Sequence, residues 1–168
     1  MTETLKQHCR QEAETAKLAN QLALSISQFL EQNPGRHLNI SLIGNLGAGK
    51  TTFARYLIQA MGHQGKVKSP TYTLCEIYPL KTQNLSITAH HFDLYRMRDP
   101  LEWQEAGFAE CFDMPGFCLI EWPEKANGTL PPFDLQIELV AGDDENERTI
   151  LITALLSDGL SVLKNMSQ

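Results

Sequence analysis

Residues 44–51 have the types and the spacing of a loop that binds nucleotide phosphates. They read Gly-Asn-Leu-Gly-Ala-Gly-Lys-Thr and match the pattern Gly-x-x-x-x-Gly-Lys-[Ser/Thr] without a gap. In this pattern the glycines let successive backbone N–H groups turn toward one anion, the lysine reaches the β- and γ-phosphates, and the hydroxyl binds Mg²⁺. The sequence therefore predicts a nucleotide-binding loop, whose candidate residues are Gly44, Asn45, Leu46, Gly47, Ala48, Gly49, Lys50, Thr51 and Thr52.

The segments on either side of this loop predict the strand and the helix that must position it. Residues 38–43 are apolar enough for a buried strand that enters the loop, and residues 51–61 place Phe53 and Leu57 on one helical face. Gly62 then suits the end of that helix. The helix N-terminus adds a partial positive charge to the phosphate site. Because strand, loop and helix occur together, binding is favoured over a glycine turn that binds nothing.

Two acidic residues stand at the ends of apolar segments and could complete a hydrolytic site. Glu121 follows residues 117–120, where we expect the acid that holds Mg²⁺ beside the loop. Asp93 ends residues 87–92 and could orient the attacking water or share the metal with Glu121 and Thr51. Hydrolysis needs such groups, and sites in these sheets lie at the carboxyl ends of strands. The alternative for each acid is an ordinary solvated residue at a strand end.

A hydroxyl-rich segment and a tryptophan are weaker candidates. Residues 69–73 read Ser-Pro-Thr-Tyr-Thr and begin about twenty residues after Lys50. Segments at this place can close on the γ-phosphate and Mg²⁺, which makes Thr71 a candidate, but a plain loop is an equally good interpretation. Trp122 follows Glu121 and could pack against the nucleotide, although the sequence alone favours a place in the core.

Arginines and histidines near these segments have ordinary interpretations too. Arg96 and Arg98 could stabilise charge in a transition state, but arginines that face solvent are commoner. His90 and His91 are adjacent, so in a strand they point to opposite faces and cannot form a tight pair on one metal. One of them could face the site, but a zinc site is not expected.

Composition restricts the classes of partner and compartment. The chain has 168 residues, 42% of them hydrophobic, and a net charge of −6 without a basic stripe, which argues against a direct grip on DNA or RNA. The first ten residues are polar and charged, so no signal peptide is expected, and no apolar run approaches the roughly 20 residues of a membrane span. We expect a cytoplasmic protein with four buried free thiols, those of Cys9, Cys75, Cys111 and Cys118.

The rest of the chain alternates predicted helices and strands. Periodicity and turn residues predict an amphipathic helix over residues 12–31 and a hairpin formed by residues 71–78 and 86–93. They also predict a short helix over residues 99–107 and a final strand pair formed by residues 133–140 and 149–155. Asp99, Pro100 and Glu102 suit the N-cap, the first position and the capping box of the short helix. The tail from residue 157 forms a short helix or frays.

This order of elements predicts one α/β domain over residues 1–168. We expect a three-layer fold like that of the P-loop NTPases, with a mixed sheet flanked by helices. Strands 38–43 and 117–120 should be parallel neighbours in its centre. The hairpin and the last two strands should be antiparallel additions at the edges.

Four blocks of sequence carry a resemblance to a known family. They are residues 44–53, 69–74, 91–96 and 119–124, in the order and at the spacing of the bacterial TsaE (YjeE) proteins. The likeness runs from about residue 14 to 154, and four such blocks in series are far more specific than one phosphate loop. One departure is Asn45, where the family commonly has an acidic residue; we expect at most a modest effect.

The resemblance implies a Mg²⁺-dependent ATPase needed to make threonylcarbamoyladenosine in tRNA. It implies phosphate and Mg²⁺ roles for Lys50 and Thr51, metal or water roles for Asp93 and Glu121, a switch-like role for Thr71, and Trp122 close to the nucleotide. Members of the family dock on a transferase made of two related ASKHA-fold proteins, and their hydrolysis of ATP is thought to reset that complex. Activity should be weak alone and stimulated by the partners, and tRNA should be reached only through the complex.

Three other functions fit a phosphate loop. A small-molecule kinase would need an arginine-bearing lid, and no arginine cluster follows Glu121. A guanine-specific switch usually carries Asn-Lys-x-Asp, which residues 125–128 do not match. A structural subunit that binds nucleotide without hydrolysing it stays open, because two acids near a loop do not prove that water is positioned.

Overall fold

A mixed sheet of seven strands forms the middle of the fold in the computed structural model, which describes residues 2–70, 72–82 and 84–166. Within these ranges the strand order is β1-β7-β6-β2-β5-β4-β3. The strands are β1 (Glu3–Cys9), β2 (His37–Ile43), β3 (Cys75–Lys81), β4 (Ser86–Asp93), β5 (Gly116–Glu121), β6 (Leu135–Ala141) and β7 (Arg148–Ala154). The helices are α1 (Glu12–Gln32), α2 (Lys50–Ala60), α3 (Glu102–Glu105) and α4 (Ser157–Met166), with 3₁₀ turns at Ala109–Asp113 and Pro123–Ala126.

The centre of the sheet is parallel, as the sequence predicts. β2 pairs in parallel with β5, and β4 pairs in parallel with β5 on the other side. The prediction that the hairpin and the last two strands are antiparallel additions is wrong for two strands: β4 is parallel to β5, and β6 is parallel to β2. The antiparallel pairs among the described strands are β6 with β7 and β7 with β1 on the β6 side of the sheet, and β4 with β3 on the other. The short β6–β7 turn fixes these two strands relative to each other and carries no information about the direction of β6 against β2.

Helices cover one face of the sheet and a long irregular segment covers the other. α1, α2 and α4 pack on the first face, over a core that includes Leu38, Ile40 and Phe117. The connections from β4 to β5 and from β5 to β6 cover the second face, where Phe92 stacks against Phe112 with ring centroids 5.5 Å apart. These faces give the predicted three layers, although the helices described in the second layer are short: the four-residue α3 and two 3₁₀ turns.

Some predicted boundaries move for local reasons. The first strand of the hairpin begins at Cys75 rather than at residue 71, because Leu74 has φ +65° and interrupts the extended chain. The short helix begins at Glu102, later than predicted, and its N-cap residue is Leu101 rather than Asp99, without a side-chain cap. The predicted contact between Glu102 and the N–H of Asp99 nevertheless forms in the turn before the helix. Glu102 Oε1 accepts hydrogen bonds from the N–H groups of Arg98 (2.9 Å) and Asp99 (3.1 Å).

Both ends of the chain add elements to the predicted core. β1, for which the sequence gives no prediction, pairs along its whole length with β7. The tail forms α4, which packs on α1, where the Ser25 hydroxyl donates to the Val162 carbonyl. Among the residues that the structure describes, no helix combines the length and the apolar character needed to cross a bilayer.

The four cysteines are free and buried, as predicted. Burial raises the pKa of the Cys75 and Cys118 thiols well above the ordinary value. A raised thiol pKa means that the folded chain holds protons that the unfolded chain releases. The stability from these groups is therefore present below about pH 9 and is lost as pH rises, by up to about 1.4 kcal/mol per pH unit and thiol.

We expect the free energy of unfolding to fall steeply above about pH 9 and Cys118→Ala to make that fall shallower. Urea unfolding with reductant present, from neutral to alkaline pH, measures the slope. Val162→Ala is the matched control, since deleting buried methyl groups lowers stability at every pH without changing the slope. Equal slopes for Cys118→Ala and the parent chain would contradict the assignment.

Candidate functional site

The predicted phosphate loop joins β2 to α2, and the backbone angles or close packing at its glycines disfavour any other residue type. α2 begins at Lys50, with Gly49 before it at φ +100° and Gly47 at φ +83°, conformations that favour glycine. A side chain at Gly44 would lie 2.7 Å from the carbonyl oxygen of Leu139 on the neighbouring strand β6. The loop is therefore wedged against β6, and its backbone N–H groups gather at the start of a helix, where anions bind.

Lys50 is the cation of this loop and is almost completely buried, with 5% of its surface exposed. Its Nζ donates to the Gly44 carbonyl at 2.5 Å and lies 3.4 Å from the centroid of the Trp122 ring. Burial lowers the pKa of Lys50, while the carboxylates of Glu121, Glu124 and Asp93 oppose that shift. The ammonium group is thus held at the loop by a carbonyl, an aromatic ring and nearby acids.

The two predicted acids lie side by side at the edge of the sheet beside the loop. Pairing of β4 with β5 places Asp93 opposite Glu121. Glu121 is 2% exposed and Asp93 is 5% exposed, so neither is an ordinary solvated acid. The Thr51 hydroxyl lies 3.0 Å from each carboxylate oxygen of Glu121. The first turn of α2 and the end of β5 therefore meet at one hydroxyl–carboxylate contact.

Asp93 makes a different set of contacts. Its Oδ2 accepts a hydrogen bond from the Ser69 hydroxyl, and its Oδ1 accepts one from the N–H of Tyr95 at 3.0 Å. Asp93 thus ties the segment that follows α2 to the end of β4. Thr71, the predicted switch residue in that segment, lies outside the described residues.

A cleft of about 520 Å³ opens between these groups. Its lining includes Lys50, Thr51, Ser69, Asp93, Glu121 and Trp122. Of the other predicted loop residues, Leu46, Gly47, Gly49 and Thr52 line the same cleft, while Gly44, Asn45 and Ala48 line an adjoining cavity that also includes Trp122. The structure therefore gathers the described candidates around this cleft and the cavity that adjoins it.

Trp122 occupies both of the places weighed from the sequence. It packs against the core on the second face of the sheet, and its ring also borders the cleft over Lys50. Its backbone has φ +58° and ψ +50°, a left-handed conformation that is uncommon for a residue other than glycine. This turn directly after Glu121 lets the ring reach back over the loop.

Of the two arginines and two histidines considered from the sequence, one of each lies at the cleft or its acids and the other does not. Arg96 lies at the rim of the cleft, with its guanidinium 4.8 Å from the exposed Tyr72 ring, whereas Arg98 does not line the cleft. His91 faces the site, since its Nε2 lies 2.6 Å from Glu121 Oε2. His90 points to the opposite side of β4. The signal for His91 was its spacing of two residues from Asp93, which places both on one face.

Sequence reasoning missed Arg148, at the start of β7. Its Nε donates to the Ala48 carbonyl of the loop at 2.7 Å, and its Nη1 donates to the carbonyls of Glu145 (2.7 Å) and Glu147 (2.8 Å). Arg148 therefore ties the β6–β7 turn to the phosphate loop. Nothing in the local sequence signals this, because the two partners are 100 residues apart.

The residues at this edge of the sheet fit a magnesium ion. A hydroxyl and two buried carboxylates, those of Thr51, Glu121 and Asp93, supply the oxygen ligands that Mg²⁺ prefers. The described residues contain no cluster of three His, Cys, Asp or Glu side chains able to hold a metal by themselves. Mg²⁺ in nucleotide sites does not need one, since it keeps several waters and takes substrate phosphates as ligands.

Comparison with known proteins shows the family of the chain. The family model described as "Threonylcarbamoyl adenosine biosynthesis protein TsaE" matches residues 9–150. The chain belongs to the TsaE family. The match extends past the four blocks on which the resemblance rests and includes Arg148 at its end.

Relatives of this TsaE-family chain cover most of its length. The tRNA threonylcarbamoyladenosine biosynthesis protein TsaE of Haemophilus influenzae is 40% identical over 139 residues, which is 83% of this chain and 84% of the relative. The protein of the same name from Rickettsia felis is 38% identical over 143 residues, 84% of this chain and 76% of the relative. The crystal structure of Bacillus subtilis YdiB superposes with a TM-score of 0.75 at 28% identity, covering 99% of this chain and 96% of that one.

Proposed function

We propose that this TsaE-family chain binds ATP and Mg²⁺ in the cleft and hydrolyses ATP in the synthesis of threonylcarbamoyladenosine in tRNA. The observation that carries the ATPase part is the contact of Thr51 with Glu121, because it joins the hydroxyl of the phosphate loop to a buried acid of the neighbouring strand. That pairing is what a nucleotide–Mg²⁺ site requires. Membership of the family supports the place in tRNA modification.

Each group has a role that its position supports. The N–H groups of residues 44–52 and the Lys50 ammonium would hold the phosphates, and Thr51 and Glu121 would hold Mg²⁺, with Asp93 near enough to share it. Bound Mg²⁺ would neutralise charge on the β- and γ-phosphates. We assign Asp93 to the orientation of the water, which would attack the γ-phosphate in line. Thr71 stays a proposed switch residue.

Trp122 and the walls of the cleft would exclude water from the phosphates. The ring covers Lys50, whose ammonium group donates to the Gly44 carbonyl. A bound phosphate would either replace that carbonyl as the acceptor or accept a second hydrogen bond from the same ammonium group. The kinase alternative has little support, because among the described residues only Arg96 and Arg148 bring guanidinium groups to the cleft. One is at the rim and the other is engaged with backbone carbonyls.

We further propose that the chain acts on a transferase made of two ASKHA-fold proteins, and that tRNA is held by that complex. The net charge of −6 supports an indirect contact with tRNA. We treat residues 1–168 as one domain, since all the described strands belong to one sheet. The four free thiols suit the reducing cytoplasm.

Phosphate release from ATP, measured for the purified chain alone and with the transferase pair, tests this function. We expect a low rate that rises sharply with the pair and that needs Mg²⁺. The pair mixed with Lys50→Ala is the control for contaminating ATPases. A rate that the pair does not change would contradict partner gating, and no release in either mixture would leave a nucleotide-binding subunit.

A further inference from the structure

A buried histidine holds the acid that the proposed function assigns to Mg²⁺. His91 lies inside β4 with no exposed surface, and its Nε2 is 2.6 Å from Oε2 of Glu121. Its other ring nitrogen, Nδ1, is buried and has no hydrogen-bond partner among the described residues. A carboxylate oxygen can only accept, so the hydrogen between the two atoms is on Nε2, and His91 donates it to Glu121.

The geometry of the strands explains why this contact is fixed. His91 pairs with Leu119 and Asp93 pairs with Glu121, so His91 stands two positions before the acids on the same face of the sheet. A side chain rooted in the middle of a paired strand has little freedom to move away. His91 is thus a rigid support under the carboxylate rather than a group at the mouth of the cleft.

The two oxygens of Glu121 are therefore used unequally. Among the residues that the structure describes, Oε2 accepts hydrogen bonds from both His91 and Thr51, whereas Oε1 accepts one only from the Thr51 hydroxyl. If the hydroxyl turns toward a metal, Oε1 becomes free while Oε2 stays held. Without His91, the carboxylate would be held by the Thr51 hydroxyl alone, and Oε2 would lose that partner as well once the hydroxyl turned toward a metal.

We infer that His91 is a positioning residue: it holds Oε2 of Glu121 and so presents Oε1 to the Mg²⁺–nucleotide. This inference rests on the proposed function, because it needs Glu121 to serve the metal. Groups that orient a metal's protein ligands typically change metal affinity or activity about 10- to 100-fold when they are removed. The effect should appear in the requirement for Mg²⁺ rather than in nucleotide affinity without metal.

The test compares two substitutions of His91 by amide side chains that differ in length, His91→Gln and His91→Asn. The Nε2 of a glutamine can stand near the position of the histidine Nε2, whereas the amide of an asparagine reaches only the Nδ1 position. His91→Gln should therefore keep the contact with Glu121, and His91→Asn should lose it. His90→Asn is the matched control, because His90 is equally buried on the same strand and faces away from Glu121.

Titration of a fluorescent ADP analogue at a series of Mg²⁺ concentrations gives the readout without requiring turnover. We expect His91→Asn to need about 10- to 100-fold more Mg²⁺ than the parent chain, and His91→Gln and His90→Asn to stay within about threefold. Affinity without Mg²⁺ should be the same in all four proteins. Thermal melting without ligand shows whether each variant folds.

Equal Mg²⁺ requirements in His91→Gln and His91→Asn would overturn the inference, whether both are normal or both impaired. A merely structural role would lower the melting temperature of the two variants together and leave the Mg²⁺ requirement unchanged. If nucleotide affinity of the parent chain does not depend on Mg²⁺, the metal part of the proposed function fails, and the inference fails with it. If the parent depends on Mg²⁺ and the variants do not differ, the inference alone fails.

Discussion

Lys50→Ala is expected to weaken ATP binding by about 10- to 150-fold, since a hydrogen bond to a charged group contributes about 1.5–3 kcal/mol. Lys50 is the cation of the phosphate loop and stands at its centre, between the Gly44 carbonyl and the Trp122 ring. The ring and the carbonyl hold the ammonium close to where phosphates would lie. Its loss removes a charge that no other described loop residue supplies.

The fold should survive this change. Burial lowers the pKa of Lys50, so holding its charge inside the fold costs free energy, and alanine relieves that cost. Calorimetric titration with ATP and Mg²⁺ measures the affinity, and a thermal melt without ligand verifies folding. Lys17→Ala, which removes an exposed lysine from α1, is the control. Near-normal affinity in Lys50→Ala would count against the cleft as the nucleotide site.

Asp93→Ala is expected to leave ATP bound and to slow its hydrolysis by about 100-fold or more, because a positioned group that handles the attacking water contributes about 10²–10⁴-fold. Asp93 is buried beside Glu121, and among the described residues it accepts hydrogen bonds from Ser69 and Tyr95 rather than from Thr51, so its position suits the water better than the loop. Single-turnover hydrolysis and equilibrium binding separate the two effects.

The contacts of Asp93 determine the controls for this experiment. Asp93→Asn can keep the hydrogen bond from the Tyr95 N–H while losing the charge, so it should be nearly as slow as Asp93→Ala. Ser69→Ala removes the hydroxyl from Asp93 without altering the carboxylate, and we expect less than about a tenfold loss. If Asp93→Asn loses ATP binding instead, Asp93 serves the metal or the structure of the site.

The phosphate loop could be predicted from the sequence because its function depends on local geometry. Three glycines, a lysine and a threonine at fixed spacing specify backbone turns and side-chain reach within eight residues. The acids could be predicted for a related reason. Asp93 and Glu121 each end an apolar run, and parallel strands bring such ends to one edge of a sheet. That reasoning predicts proximity, but it does not predict which oxygen meets which hydroxyl.

β1 could not be predicted because its stability is supplied by another strand. Residues 3–9 read Glu-Thr-Leu-Lys-Gln-His-Cys and lack a regular alternation of apolar and polar side chains. They form a strand by pairing with β7, and His8 there contacts Glu147 at 2.7 Å. Strand formation of this kind depends on neighbours across the sheet more than on the segment itself.

Arg148 and His91 show the same limit within the site. Arg148 reaches the loop because the sheet places β7 beside β6, which packs on Gly44. His91 could be placed on the face of Asp93 by the period of a strand, yet its contact with Glu121 required the register of β4 against β5. Register is decided by the buried faces of whole strands, so it is a tertiary property.

The sequence by itself determined the phosphate loop, its helix, the two acids and the family, since each depends on residue types within a short span or on such spans in series. The tertiary structure decided the direction of β6, the burial of Lys50, and the contacts of Glu121 with Thr51 and His91. These features arise where strands distant in the chain pair and exclude water. A pattern of residues specifies what a segment can do, and only packing specifies what it lies against.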